Sequence, residues 1–148
     1  MTNQAEDYPG ETGTPRGLDA VLGAEYVEVT TDRVVLRCAI KPHLRQPYGI
    51  VHGGVYCSLV ESAASIAAAT WFASRNDGGQ GNVVGVANHT NFIRAAREGT
   101  LTVTATPVQR GRRQQLWQVD IVDDSERLVA RGEVRLANID NAETLGRS

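Results

Sequence analysis

The feature that most constrains this chain is a long stretch that is almost free of charge. Between Arg45 and Arg75 the only Asp, Glu, Lys or Arg is Glu61, and the residues from Val55 onward suit one long helix. A helix with one face in water normally carries several charges on that face. We therefore expect this helix to be covered on most sides, by a sheet on one side and by another chain on the other.

Glu61 stands apart from the bulky apolar residues of the expected helix. At about 100° per residue, Val55, Leu59 and Ile66 share one side of the helix. Glu61 lies roughly opposite, among small and uncharged residues. An ordinary surface glutamate would explain this position, but a lone carboxylate in an uncharged helix is costly without a partner or a function. The missing charges favour a functional Glu61.

Length and composition exclude several broad classes of protein. The chain has 148 residues, which is enough for one domain with its own core. Hydrophobic residues make up 41% and charged residues 22% of the chain, so the composition is that of an ordinary globular protein. The net charge of −2 gives no bulk attraction for nucleic acid or an anionic membrane, and neither is an expected partner.

Three further observations predict a cytoplasmic protein. The N-terminus carries no secretory leader. Residues 55–73 are long enough to resemble a membrane span, but Glu61 at the centre would cost about 3 kcal/mol, so we expect no transmembrane helix. Cys38 lies in an apolar strand pattern and Cys57 in the helix, so both are expected to be reduced and buried rather than joined in a disulfide.

The order of patterns along the chain predicts an α+β fold of one domain. Residues 1–14 are expected to form a disordered arm, residues 15–139 the domain and residues 140–148 a tail. A short helix over 15–22, ending at Gly23, precedes two strands, the long helix and four more strands. The expected strands are 24–30, 33–40, 82–95, 100–109, 116–122 and 128–137, with loops at 41–51 and 77–81. Short turns favour antiparallel pairing of consecutive strands, so we expect one curved sheet of about six strands to wrap the single long helix.

The residues at the start of the long helix suit a substrate carbonyl. His52-Gly53-Gly54 stands where the helix begins. A helix N-terminus presents unpaired N–H groups and partial positive charge, and glycine lets a ligand approach that backbone closely. This arrangement suits a polarised carbonyl or a developing oxyanion, although a simple glycine loop before a helix has the same sequence.

Helix geometry limits how Gly53 and Glu61 can act together. The two residues are eight positions apart, which is about 12 Å along the helix axis. One small reacting group can hardly touch both within one chain. An antiparallel helix from a second copy would bring its Glu61 to the Gly53 of the first. If both residues act in catalysis, we therefore expect a site shared across a two-fold dimer.

These residues together resemble the hotdog-fold acyl-CoA thioesterases, and within them the 4-hydroxybenzoyl-CoA and phenylacetyl-CoA thioesterase type. The similarity covers about residues 20–138 and rests on Gln46, on His52-Gly53-Gly54, on Glu61 and on Ser65. It implies a hotdog fold and a homodimer or homotetramer, the latter as a dimer of dimers. It also implies hydrolysis of a small aryl- or medium-chain acyl-CoA with no metal and no organic cofactor.

The resemblance implies a role for each residue of this pattern. The Gly53 N–H polarises the thioester carbonyl, and Gln46 orients the substrate or a water near it. Glu61 of the opposing chain acts as nucleophile or general base, and Ser65, one helical turn further on, holds that carboxylate or a water. His52 organises the loop or takes a direct part in the chemistry.

Later segments carry the resemblance in part. The run that ends at Arg94 resembles the family's Asn-Phe-Leu-Arg, although an alanine follows it where the family usually has proline, and Arg94 is expected to bind CoA. Gly85 stands where some members have Ser or Thr, so any role of that hydroxyl is absent here. Arg112 and Arg113 lie in the hairpin that approaches the CoA phosphates in the family, and arginine pairs well with phosphate. A basic turn of this kind is otherwise solvated surface.

Other chemistries fit the sequence less well. The three histidines do not fall at metal-ligand spacing, and there is no phosphate-binding glycine loop of the Walker or dinucleotide type. A non-catalytic acyl-CoA-binding or assembly protein of the same fold is the main alternative, and the presence of Gln46, Glu61 and Ser65 argues against it. A hydratase or dehydratase needs a base beside the acyl chain, typically an Asp–His pair, which the sequence does not place.

Overall fold

The computed structural model describes residues 14–76 and 82–140. Its elements, in chain order, are α1 (Gly17–Leu22), β1 (Ala24–Val29), β2 (Val34–Ala39), a 3-10 turn (Pro42–Leu44), α2 (Gly53–Ser74), β3 (Val83–Phe92), β4 (Thr100–Arg110), β5 (Gln114–Val122) and β6 (Leu128–Asn138). Nearly all of the expected arm and tail, and the turn at 77–81, lie outside the described residues. One long helix on a six-stranded antiparallel sheet confirms the expected fold class.

Local sequence signals place the short elements well. Gly23 ends α1 with φ of 74°, a left-handed conformation that glycine adopts without strain, and its N–H donates to the Ala20 carbonyl at 3.2 Å. In β2 the side chains of Leu36 and Cys38 are buried while Arg37 between them is exposed, as the alternation predicts. The expected boundaries of these elements are therefore correct to within a few residues.

The strand order across the sheet is β1-β2-β4-β5-β6-β3, and every neighbouring pair is antiparallel. The expected hairpins between β1 and β2, β4 and β5, and β5 and β6 are confirmed. The expectation that the short connection from β3 to β4 makes another hairpin is wrong, since β3 pairs with β6 and β4 pairs with β2. The physical reason is α2, which carries the chain from β2 to the opposite edge of the sheet and leaves the place beside β2 to be filled by β4.

The long helix α2 is the centre of the core. From Val55 to Ala73 none of its residues is fully exposed even in the single chain. Its buried residues, Leu59 and Val60 among them, belong to the same apolar cluster as the inner face of the sheet. By length and composition α2 would also suit a membrane span, but most of that segment is buried inside the fold. The expected cover by a sheet is confirmed, and the cover by a second chain stays a prediction.

The two cysteines are free, as expected, but only one of them is buried. The Cys38 thiol donates to the Leu22 carbonyl at 3.2 Å, and burial raises its pKa, so it stays a protonated thiol at neutral pH. Cys57 is only half-buried, because it lies on the side of α2 that faces the edge strand β3. The expectation of two buried cysteines is wrong for Cys57.

Candidate active site

The start of α2 leaves one backbone donor unpaired. His52 caps the helix: its Nδ1 accepts from the Gly54 N–H at 2.8 Å, and its carbonyl accepts from the Val55 N–H at 2.9 Å. The Gly53 N–H donates no hydrogen bond to any residue that the structure describes. A free N–H therefore stands at the positive end of the helix. His52 makes the loop-organising contact that the sequence suggests, and a chemical role for it stays a prediction.

A cavity of about 320 Å³ lies beside this helix start. Its wall contains Gln46, Gly53 and Arg94 together with apolar residues that include Phe92. The Phe92 ring packs so closely on Gly53 that a Cβ at position 53 would overlap it. With the Phe92 ring in this position only glycine fits at position 53, and the close packing forms one wall of the cavity.

Gln46 reaches the cavity from the loop before α2. Its backbone N–H donates to the Ile50 carbonyl at 2.8 Å, and its side-chain Oε1 accepts from the Tyr48 N–H. The oxygen end of the amide is therefore occupied by the loop. The Nε2 group has no partner among the described residues, so a second free donor is available in the residues that line the cavity with Gly53.

Tyr56 is a cavity residue that the sequence reasoning missed. Its ring lines the cavity and lies 5.9 Å, between centroids, from the ring of Phe92. Its hydroxyl is buried and has no hydrogen-bond partner among the described residues. Burial, with a smaller contribution from the charge of Asp123, raises the pKa of Tyr56, so the hydroxyl stays protonated. The available signal was its position three residues after Gly53, one turn along the helix face that opens on the cavity.

Glu61 is not in the wall of this cavity. It is half-buried on the side of α2 that faces β3, where its Oε2 accepts from Asn88 Nδ2 at 3.1 Å. The same Nδ2 group donates to the Cys57 carbonyl at 3.0 Å, and Asn88 Oδ1 accepts from the Thr90 hydroxyl at 2.7 Å. The sequence reasoning missed Asn88, because it lies 27 positions after Glu61 and no local pattern joins the two residues.

Gly85 provides the space that the Glu61 carboxylate occupies. A Cβ at position 85 would overlap Glu61 Oε1. The strand β3 also bulges between Gly85 and Ala87, beside the carboxylate. A serine or threonine at position 85 would displace Glu61 from its present position.

Ser65 follows Glu61 by one helical turn, but the two side chains are not hydrogen-bonded. The Ser65 hydroxyl has no hydrogen-bond partner among the described residues, and the carboxylate is held by Asn88 instead. Ser65 is half-buried and faces the same side of α2. That Ser65 holds a water stays a prediction.

The arginines expected to bind CoA lie at opposite ends of α2. Arg94 is exposed at the cavity beside the helix start. Arg112 and Arg113 are exposed in the hairpin between β4 and β5, which Asn138 Nδ2 holds through the carbonyls of residues 111 and 112, each at 3.0 Å. Asn138 is joined in turn to the C-terminal half of α2 through Gln115. In one chain, these two groups of arginines cannot meet at one phosphate.

Arg110 of the same hairpin is already occupied. It forms an ion pair with Asp32 at 2.7 Å and lies between the rings of Trp71 and Trp117, 5.3 and 5.8 Å from their centroids. Arg112 and Arg113 make no ion pair with the described residues. Of the basic residues in this hairpin, these two are available to a ligand.

One chain thus presents three separate groups of candidate residues. The helix start brings together Gln46, His52, Gly53 and Arg94; Glu61 and Ser65 lie in the middle of α2; Arg112 and Arg113 lie towards its far end. Within the described ranges, no three His, Cys, Asp or Glu side chains form a group that could hold a metal ion. One chain offers a free backbone N–H at the helix start, which can polarise a carbonyl, and a carboxylate in the middle of the same helix.

Sequence and structure comparisons connect this chain to known protein families. The family model of the thioesterase superfamily matches residues 48–130. The Mycobacterium tuberculosis protein Rv1847 is 46% identical over 134 residues, which cover 90% of this chain and 94% of that protein. Its solved structure gives a TM-score of 0.78 at 47% identity, over 84% of this chain and 97% of that one.

Two further relatives have names that state an activity. A 1,4-dihydroxy-2-naphthoyl-CoA hydrolase of Listeria monocytogenes is 32% identical over 113 residues, or 76% of this chain and 88% of that protein. The solved structure of a Haemophilus influenzae thioesterase gives a TM-score of 0.74 at 28% identity, over 84% of this chain and 85% of that one.

Proposed function

Because the chain belongs to the thioesterase superfamily, with its hotdog fold and its thioester hydrolase activity, we propose that it hydrolyses a small aryl- or medium-chain acyl-CoA to the free acid and CoA. The name of the Listeria relative supports an aromatic acyl group carried on CoA. The apolar wall that Phe92 and Ile50 give to the cavity suits either kind of acyl group. The protein is proposed to work in the cytoplasm.

The observation that carries the proposal is the pairing of a free donor with a lone carboxylate on one helix. The Gly53 N–H stands unpaired at the cavity, and the Glu61 carboxylate follows eight residues later. A thioester carbonyl needs a donor at the oxygen and a base or nucleophile at the carbon. Neither role requires a serine–histidine–aspartate arrangement.

We propose that two chains complete the site. In one chain Glu61 lies outside the cavity, about 12 Å along the helix from Gly53. The edge strand β3 is exposed along most of its length, with Val86 and Phe92 more than half exposed, so its free edge can receive a second copy. A two-fold dimer with antiparallel α2 helices brings Glu61 of one chain to the cavity of the other. Two such dimers could associate further into a tetramer.

The proposed reaction starts with the thioester carbonyl at the helix start. Its oxygen accepts from the Gly53 N–H and from Gln46 Nε2, which polarises the carbon. Glu61 of the partner chain then takes a proton from a water that attacks the carbon, or attacks the carbon itself to form an anhydride that water later hydrolyses. In either case the C–S bond breaks, CoA leaves as the thiolate and is protonated, and the free acid remains. Ser65 and His52 are proposed to place the attacking water and the loop.

The CoA phosphates are proposed to bind arginines of both chains. Arg112 and Arg113 lie towards the C-terminal half of α2, and Arg94 lies at its start. In an antiparallel pair the hairpin of one chain approaches the helix start of the other. The separation of the two arginine groups within one chain is then a consequence of the shared site.

A panel of acyl-CoA substrates tests the proposed activity. Release of free CoA thiol is followed with aryl, medium-chain and long-chain acyl-CoAs, with Glu61→Gln as the inactive reference and Glu25→Gln, an exposed glutamate on β1, as the matched control. We expect turnover of the aryl or medium-chain substrates by the wild type and by Glu25→Gln. Tight binding of acyl-CoA without turnover would instead favour the non-catalytic alternative.

Mixed dimers test the shared site. Chains with Glu61→Gln and chains with Gln46→Ala should each be nearly inactive alone. Co-refolded, they should regain activity, because a mixed dimer keeps one site with Gln46 and Gly53 from one chain and Glu61 from the other. If mixed dimers form but their activity does not exceed that of the two parents, the site is not built across the interface.

A further inference from the structure

The side chain of Asn88 has all its hydrogen-bonding groups occupied. Its Nδ2 donates to Glu61 Oε2 at 3.1 Å and to the Cys57 carbonyl at 3.0 Å, which uses both protons of the amide nitrogen. Its Oδ1 accepts from the Thr90 hydroxyl at 2.7 Å. The amide cannot rotate by half a turn without giving up all three bonds. The donor that faces Glu61 is therefore fixed in direction.

The two oxygens of the Glu61 carboxylate have different surroundings. Oε2 is anchored by Asn88, while Oε1 accepts no hydrogen bond from the described residues. Oε1 lies against Gly85, at the place that a Cβ there would occupy. Gly85 is exposed and belongs to the outermost strand of the sheet, beside the bulge before Ala87. One oxygen is thus held by the protein and the other is left free at the sheet edge.

We propose that Asn88 is a positioning residue that anchors Oε2 of Glu61 and leaves Oε1 as the reacting oxygen, with Gly85 keeping the space for it. This inference rests on the proposed function, because it assigns geometry to the carboxylate of that reaction. The Asn88 amide is a donor that suits the ionised carboxylate, which accepts hydrogen bonds only and is the form that acts as base or nucleophile. Thr90 supports the arrangement by fixing the Asn88 amide.

A purely structural role for Asn88 makes a different prediction. Because Asn88 also bonds the Cys57 carbonyl, it joins β3 to α2 and contributes to stability. A purely structural residue would change the unfolding midpoint and leave the pH dependence of catalysis where it was. A positioning residue changes turnover at saturating substrate and moves the acid limb of the pH profile.

Few other charged groups could move that profile. On α2 the titratable side chain one turn before Glu61 is Cys57, and on β6 the residues facing the helix beside Asn88 are Gly132 and Val134, which are uncharged. On β3 itself, His89 follows Asn88 and so points to the opposite face of the sheet. In the proposed dimer His52 and Arg94 of the partner subunit also lie at the helix start that Glu61 reaches, but they are the same in the wild type and in every variant, so a shift of the profile between the wild type and an Asn88 variant is read at Glu61.

The experiment compares four variants with one matched control in the assembled protein. Asn88→Asp keeps the shape and puts a second carboxylate beside Glu61, Asn88→Leu removes the donor, Thr90→Val frees the amide, and Gly85→Ala fills the space at Oε1. Asn76→Asp makes the same charge change at an exposed position beyond the end of α2. For each protein, kcat and KM are measured across the pH range, with thermal unfolding and oligomeric state as checks on folding.

We expect kcat to fall by about 10- to 100-fold in Asn88→Leu and Gly85→Ala, with KM changed much less. In Asn88→Asp the acid limb of the profile should move to higher pH, because a like charge favours the protonated carboxyl. Thr90→Val should change kcat in the same direction by a smaller factor, and Asn76→Asp should match the wild type. If Asn88→Leu does not fold, Asn88→Asp and Thr90→Val carry the test.

Two failures can be told apart. If the wild type turns over no substrate of the panel, or if Glu61→Gln is as active as the wild type, the proposed function fails and this inference fails with it. If wild type is active and Glu61→Gln is not, but folded Asn88 variants keep the wild-type kcat and pH profile, only the positioning role is overturned.

Discussion

The two ends of α2 differ in how their polar groups are satisfied. Beside the C-terminal half, Gln115 is fully buried: its Nε2 donates to a helix carbonyl at 3.3 Å and to Asn138 Oδ1 at 2.6 Å, and its Oε1 accepts from Trp117 Nε1 at 2.8 Å. At the N-terminal end, the Gly53 N–H and the Tyr56 hydroxyl have no partner among the described residues. We call the C-terminal half the complete end, because these polar groups find partners within the chain. We call the N-terminal end the incomplete end, because its polar groups find none among the described residues.

This difference indicates that the C-terminal half of α2 contributes mainly to stability and its N-terminal end to function. A buried polar group without a partner costs about 1–3 kcal/mol, so a fold tolerates it where a ligand or a second chain completes the bond. The network around Gln115 fixes the sheet and the arginine hairpin on the helix. The unpaired Gly53 N–H lies at the cavity, where a substrate carbonyl can accept from it, whereas the Tyr56 hydroxyl is buried.

The largest effect should come from the carboxylate in the middle of α2. Glu61→Gln is nearly isosteric but cannot act as base or nucleophile, so turnover should fall by about 100-fold or more. Asn88 can still donate to the amide oxygen, and the fold should persist. Thioester turnover and thermal unfolding check both parts, with Glu25→Gln as control. Near-normal turnover by a folded Glu61→Gln protein would show that Glu61 is neither the base nor the nucleophile.

A substitution at the complete end should lower the stability of the protein and leave its turnover nearly unchanged. Gln115→Leu removes the partner of Nε1 of the buried Trp117 and of Oδ1 of the half-buried Asn138, so the free energy of unfolding should fall by about 2 kcal/mol. Urea unfolding measures this loss, and kcat of the folded protein should stay within about twofold of wild type. Gln114→Leu, at the exposed neighbouring position, should change stability by about 0.5 kcal/mol or less. Equal effects of the two substitutions would mean that the network contributes nothing.

The sequence predicts the features that depend on local patterns. The absence of charge between residues 46 and 74, apart from Glu61, predicts a buried helix, and α2 covers Gly53–Ser74. Alternation predicts the strands, and Gly23 predicts the end of α1, because each signal concerns neighbouring residues. The helical spacing also predicts that Glu61 and Gly53 cannot meet in one chain, and the structure keeps Glu61 out of the cavity that Gly53 lines.

The sequence does not predict features that depend on tertiary contacts. The pairing of β4 with β2 follows from the path of α2 across the sheet, which no local pattern contains. The sequence does not predict Asn88 as the partner of Glu61, because the two residues are 27 positions apart. The bulge next to Gly85 also sets which β3 residues face the helix. Gln115 lies before the strand expected over 116–122, yet it is in β5 and fully buried, since three specific partners satisfy its amide.

A smaller effect should appear at the arginine hairpin, which the complete end of α2 holds in place. Replacing Arg112 and Arg113 by alanine should raise KM for acyl-CoA by several-fold and weaken its dependence on salt, because each exposed arginine contributes a screened phosphate contact. Turnover at saturating substrate should change less. Steady-state kinetics at low and high salt measure this, with Arg33→Ala/Arg37→Ala as a control that removes two charges from the β2 region. An unchanged KM at low salt would make the hairpin ordinary surface.

The smallest effect should be a gain in stability at the incomplete end. Tyr56→Phe removes a buried hydroxyl that has no partner among the described residues, so no hydrogen bond is lost. The free energy of unfolding should rise by about 1 kcal/mol. Tyr48 is 85% exposed, so Tyr48→Phe removes a solvated hydroxyl and should leave the free energy of unfolding unchanged. Urea unfolding of both variants measures the difference. A loss of stability in Tyr56→Phe would show that water or a second chain forms a hydrogen bond with this hydroxyl in the protein without substrate. The start of α2 would then have fewer unpaired polar groups than one chain indicates.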